Sequence, residues 1–258
     1  MTQQDIDDSE APLIEHLIEL RTRLIWCVVG FIAAFIFSFV FSSDILHFLV
    51  LPFKWGTGQD VSLISIKLLG VFLVKLKIAF FGGLFIGFPL IATQVYRFVA
   101  PGLYKHEKQA FLPYLVATPI FFILGASLVY FFLLPVAIHF FTALAGTSGV
   151  ALMPDIEAYL DFVMMLILAF GLCFQLPVVL TLLGQIGVLS YEQLKSGRKF
   201  AIVGVFIVAA VLTPPDPISQ VAMAVPLMAL YELSVQAVRL IDARRKKREA
   251  AEGANEAV

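Results

Sequence analysis

Long apolar runs separated by short clusters of charged residues set the pattern of this chain. The first run, Leu24–Phe41, holds 18 residues with no charged side chain. Further runs lie between Lys77 and Arg97, between Lys108 and His139, and between Asp161 and Glu192. A helix rises about 1.5 Å per residue and the hydrocarbon layer of a bilayer is about 30 Å thick, so each run reaches the roughly 18 to 20 residues a span requires. The C-terminal part breaks the rhythm. Phe200–Leu212 is 13 apolar residues, Thr213-Pro214-Pro215-Asp216-Pro217 interrupts, and a last run goes from Ile218 to about Val238. The fifth run would make only about 20 Å of helix. The pattern predicts an all-α polytopic membrane protein of six transmembrane helices, with short fifth and sixth helices joined by a proline-stiffened turn. A single re-entrant hairpin is the competing reading of that last pair. A short helix also implies a locally thinned bilayer or a turn sunk below the lipid surface.

Pro89, Pro113, Pro119, Pro135, Pro177 and Pro226 fall in or beside these runs. Each interior proline removes a helix hydrogen bond and favours a kink, whose freed carbonyl a neighbouring helix must cover. The stretches from Phe81-Gly82 to Pro89 and from Phe170-Gly171 to Pro177 look alike but differ by one residue in spacing. No internal repeat follows, which argues weakly against the inverted repeats of many secondary transporters. The N-terminus opens with Asp5, Asp7, Asp8 and Glu10 rather than a basic lead, so the first run reads as a retained helix and not a secretory signal.

Composition agrees with a lipid solvent. Of 258 residues, 60% are hydrophobic and 14% charged, with a mean hydropathy of +0.93. A soluble domain has about 45–50% apolar and about 25% charged residues, so one water-exposed core is excluded. The net charge of −1 excludes a strongly basic nucleic-acid binder. Where the bases stand is more telling. With both termini inside, the cytoplasmic segments carry fourteen of the 18 Lys and Arg residues, and only Lys54, Lys67, Lys75 and Lys77 fall on the other side. This positive-inside asymmetry predicts N-in, C-in topology. Residues 1–11 read as an acidic flexible lead, 12–239 as one membrane domain, and 240–258 as a basic, lipid-facing and then disordered tail.

Chemistry is scarce. His16, His47, His106 and His139 show no metal-binding spacing, Cys27 and Cys173 sit singly in apolar runs, and no nucleophile or phosphate-loop motif is present. No catalytic residue, metal or cofactor is expected, and no enzyme. Gln175, in Phe174-Gln175-Leu176-Pro177, reads either as an interhelical hydrogen bond beside a kink or as a contact for a partner or substrate. Glu232 reads as snorkelled to the interface and paired with a cytoplasmic base. Two cytoplasmic segments stand out. Pro12–Leu24 keeps Leu13, Leu17, Leu20 and Leu24 on one stripe of an amphipathic helix and Glu15, Glu19 and Arg23 on another. Its plainest reading is a solvated Glu19–Arg23 pair four residues apart. Phe98–Lys108 is a turn followed by a polar helix start, in which Glu107 is the lone acid among bases.

These segments resemble the TatC family, the polytopic subunit of the twin-arginine protein translocase. The likeness is carried by His16-Leu17-Ile18-Glu19-Leu20-Arg21-Thr22-Arg23-Leu24, by Phe98-Val99-Ala100-Pro101-Gly102-Leu103-Tyr104-Lys105-His106-Glu107, and by Leu212-Thr213-Pro214-Pro215-Asp216, in order from about Pro12 to Arg239. It implies kinked helices in a concave, glove-like arrangement. It implies a receptor in the bacterial inner membrane that binds signal peptides bearing consecutive arginines. Such a receptor assembles with TatA-like and TatB-like single-span subunits and with further copies of itself, to export folded cargo on the protonmotive force. By motif, Glu19 and Glu107 are implied as the carboxylates for those arginines, with Arg21 and Phe98 beside them. Pro52, in the first outer loop, and Asp216 match positions important in the family, where a structural role and a partner contact stand as equal readings. Gln175 departs from a glutamate common in relatives, so a titratable group there is not essential. A small-molecule secondary transporter, using a site at the broken fifth and sixth helices, is the alternative; it would need its charges at the midplane rather than at Glu19 and Glu107.

Overall fold

A computed structural model of the chain describes residues 3–57, 63–99, 108–147, 154–212 and 217–256. The described residues are helical almost throughout, as α1 (Gln3–Val40), α2 (Ser42–Thr57), α3 (Gly70–Val99), α4 (Lys108–Leu128), α5 (Leu134–Thr147), α6 (Ile156–Cys173), α7 (Leu176–Gln185), α8 (Tyr191–Leu212) and α9 (Pro217–Glu256). Five apolar stretches on these helices are long enough to cross a membrane: His16–Val40, Gly70–Phe98, Pro113–Gly146, Ile156–Gln185 and Gln220–Arg245. α8 falls short for the reason seen in its sequence: Glu192, Lys195, Arg198 and Lys199 occupy its first half, leaving a 13-residue apolar end.

Several expectations change. Pro52 lies not in a loop but buried inside α2. The sixth helix is not short, because the span is one part of the 40-residue α9. α9 continues through the basic cluster and the Ala/Glu-rich end, where composition suggests disorder; Ala, Glu, Lys and Arg are all strong helix formers. Likewise the backbone is helical from Gln3, ahead of Pro12, as a cooperative helix extends outward from its stable span. Pro135 stands just after a change of helix type. A five-residue π-helical turn, Val129–Leu133, joins α4 to α5 just before it, and Leu134 N–H reaches back to Val129 O. The widened turn accommodates a proline that cannot donate to its own turn.

The chain forms two compact units. Met1–Leu49 and Ser65–Pro119 make the first. In it α1 and α3 pack antiparallel, and small residues set the approach. A Cβ at Gly83 would come within 3.1 Å of Phe35 Cα, and one at Gly87 within 3.8 Å of Phe31 Cα, so the two glycines let the helix backbones draw close. Gly82 makes room for the buried Ser38 hydroxyl, and Leu90 lies over Gly30. The outward face of α1 is strongly apolar and exposed, from Leu24 and Trp26 to Val40, as a lipid-facing helix requires.

Val50–Ile64 and Ile120–Val258 make the second unit. Its buried side chains include Leu134, Leu160, Val163, Leu166, Phe170, Met223 and Leu227. A short backbone contact joins its two loops: Ile64 N–H donates to Pro154 O (3.2 Å) and Ile156 N–H to Ile64 O (2.9 Å). Between α7 and α8 the chain turns at Gly187, whose φ of +76° suits glycine. There Gly187 N–H bonds Gly184 O and Val188 N–H bonds Leu183 O, the paired bonds of a Schellman cap. α8 then starts in a capping box: Ser190 N–H donates to Gln193 Oε1 at 2.9 Å, and Gln193 N–H to Ser190 Oγ at 3.4 Å.

Candidate functional site

The polar site forms in the first unit, where the start of the α1 span meets the end of α3. Residues 19, 22, 23 and 26 share one face of α1 because they follow the helical steps of three and four. On α3, Gln94 and Arg97 stand three apart at the matching level. Together Glu19, Thr22, Arg23, Trp26, Gln94 and Arg97 line a cavity of about 380 Å³.

Arg23 organises this cavity. Its Nε and Nη2 donate to Glu19 Oε1 at 3.0 and 2.6 Å, and its Nη1 donates to Gln94 Oε1 at 3.2 Å. The Glu19 and Arg23 side chains are 32% and 24% exposed, half-shielded rather than solvated. Among the described residues Glu19 Oε2 accepts no hydrogen bond. At the same end of the two helices the His16 ring stacks on Phe98, centroids 4.3 Å apart. Phe98 therefore ties α1 to α3 beside the cavity.

Of the residues singled out in the sequence, the structure places Glu19 in the cavity and Phe98 next to it. Arg21 is exposed and absent from the lining: two residues from Glu19 along a helix is a turn of about 200°, the opposite face. Glu107 and Asp216 lie outside the described residues. Gln175 sits at the break between α6 and α7, where its Nε2 donates to Gly171 O at 3.4 Å. Glu232 has its expected base: Arg198 Nη2 lies 2.6 Å from Glu232 Oε1, which also accepts from Gln236 Nε2 at 3.0 Å. Sequence reasoning treated Arg23 as a surface partner and passed over Gln94, Arg97 and Trp26. The shared face of 19, 22, 23 and 26 was legible; the partner on α3 was not, since no local pattern pairs residues 71 apart.

Fold and site define a polytopic, all-helical membrane protein whose candidate site stands at the ends of its spans. Residues 15–226 match the family described as Sec-independent protein translocase protein (TatC), and the chain belongs to that family. It is 44% identical over 247 residues to the TatC protein of Magnetococcus marinus, covering 96% of this chain and 91% of the relative. With that of Escherichia coli K12 it shares 38% over 246 residues, 95% and 94% of the two chains. The solved crystal structure of a twin arginine translocase receptor TatC matches with a TM-score of 0.78 and 38% identity, over 88% of this chain and 99% of the other. The chain is thus of a protein-translocase family and not an enzyme. The small-molecule carrier alternative finds no support in these relatives.

Proposed function

We propose that this chain is the receptor and assembly core of a twin-arginine translocase, binding signal peptides with consecutive arginines through Glu19 and Glu107. What supports the reading is the half-shielded Glu19 carboxylate, which lines a cavity of about 380 Å³ and has one oxygen that accepts no hydrogen bond among the described residues. Guanidinium is planar, permanently charged and able to form paired bonds to carboxylate, so such acids favour Arg-Arg over Lys-Lys. Phe98 holds the wall of the site through His16, while Arg21 faces away from the cavity and belongs to the opposite face of α1. Single-span TatA-like and TatB-like subunits, and other copies of this chain, are the proposed partners in the inner membrane. Both termini are assigned to the cytoplasm, α8 to a short fifth crossing, and transport to the protonmotive force. Pro52, Gln175 and Asp216 remain candidates for partner contact or for structure.

The test is photo-crosslinking of a twin-arginine signal peptide to membranes carrying the wild type, Glu19→Ala or Glu107→Ala. A charge-assisted hydrogen bond contributes about 1.5–3 kcal/mol. Partial exposure places Glu19 at the low end, so each variant should lose about tenfold or more in crosslinking. Undiminished crosslinking in both variants overturns the assignment.

A further inference from the structure

We propose that Arg23 and Gln94 are positioning residues for signal-peptide recognition: they hold Oε1 of Glu19 so that Oε2 is presented to one guanidinium of the cargo. This rests on the receptor reading of Glu19 and says how that residue is kept ready. Both Arg23 groups that reach Glu19 bond the same oxygen, Nε at 3.0 Å and Nη2 at 2.6 Å. The other carboxylate oxygen has no partner among the described residues, and the carboxylate borders the cavity. The far end of the guanidinium is anchored across the helix pair, Nη1 to Gln94 Oε1 at 3.2 Å. An exposed pair on one helix samples many rotamers and contributes little. A guanidinium fastened to two helices does not, and it fixes the rotamer of the carboxylate it holds. A group already in its bound conformation loses less entropy when ligand arrives.

The residue at 94 suits this role. Its amide oxygen accepts from Arg23 without adding a second negative charge that would draw the guanidinium off Glu19. The arrangement also sets how selection works. Among the described lining residues two bases, Arg23 and Arg97, stand with one acid, Glu19, so an incoming cation meets like charge beside that carboxylate. Entry depends on hydrogen-bond geometry good enough to overcome two like charges. A planar, weakly hydrated guanidinium meets that condition better than an ammonium. The bases act as the repulsive element that sharp specificity requires.

The experiment measures binding of fluorescent twin-arginine and twin-lysine signal peptides to the full chain in nanodiscs. Wild type is compared with Arg23→Gln, Arg23→Lys, Gln94→Leu and Glu19→Ala, each checked for an unchanged melting profile. Arg23→Gln and Gln94→Leu should each weaken twin-arginine binding about threefold to tenfold and narrow its advantage over twin-lysine. Arg23→Lys keeps the charge but not the fork, and should behave like Arg23→Gln. Wild-type binding in Arg23→Lys reduces the pair to a simple helix contact and overturns the proposal. Unchanged or tighter binding in Arg23→Gln overturns it too, tighter binding marking Arg23 as a competitor. A loss in Arg23→Gln with none in Gln94→Leu overturns the two-ended anchor. If Glu19→Ala binds like wild type, the receptor reading itself fails, whatever the Arg23 variants do.

Discussion

Glu19 illustrates how one side chain acquires its meaning from neighbours. As a letter in a helix it is half of an i,i+4 pair; in the folded unit it is a carboxylate with one oxygen held by Arg23 and the other without a hydrogen bond among the described residues. The glycines that allow this are equally specific. A Cβ on Gly83 would meet Phe35 Cα at 3.1 Å, and the Phe31 ring at 3.0 Å. Gly83→Val should therefore force α1 and α3 apart, at a cost of about 1–3 kcal/mol for overpacking, and weaken peptide binding by pulling Gln94 from Arg23. A Cβ on Gly146 meets nothing within 4 Å, so Gly146→Ala should leave the melting temperature unchanged. Thermal unfolding of both variants in detergent checks the contrast. Glu232 offers another check. Its pair with Arg198 is 47% and 39% exposed on the two sides, and exposed pairs contribute about 0–1 kcal/mol. Glu232→Gln should shift thermal unfolding by no more than a degree or two.

Helices in this chain were legible where a long apolar run met a charge cluster at each end. Their joints were less so. α8 begins where Ser190 and Gln193 cap each other, a pattern written locally. Its first amide, Tyr191 N–H, donates instead to Asp242 Oδ2 at 2.7 Å, a residue on α9. Arg239 also lies over the Tyr191 ring, 5.6 Å from its centroid. Asp242→Ala should release that amide at about 1 kcal/mol, the usual cost of a lost cap. Faster hydrogen exchange confined to the first turn of α8 would be the signature. The π-turn before Pro135 belongs to the same category. A proline announces a disturbed helix, but whether the chain kinks or widens depends on what packs around it, here the buried Val129, Tyr130 and Leu133.

Across the whole molecule, the asymmetry of Lys and Arg carries the proposed topology. In a background of Cys27→Ser and Cys173→Ser, single cysteines at the exposed positions Gly146 and Ser196 should label from opposite sides of the membrane. Equal accessibility to an impermeant maleimide would contradict the six-span reading. Apolar run length settled the class of fold and most of the helices before any contact was known, and charge placement supplied the proposed orientation. These are one-dimensional consequences of lipid as solvent: a backbone without water must be helical, and a charge must stay near an interface. The motif segments likewise sufficed to identify the family and to suggest Glu19 as a candidate. Tertiary contacts alone joined Arg23 to Gln94 and capped α8 from α9. Each of those depends on which faces of two helices meet, and that is decided by close packing between residues far apart in the chain, not by the period of either helix.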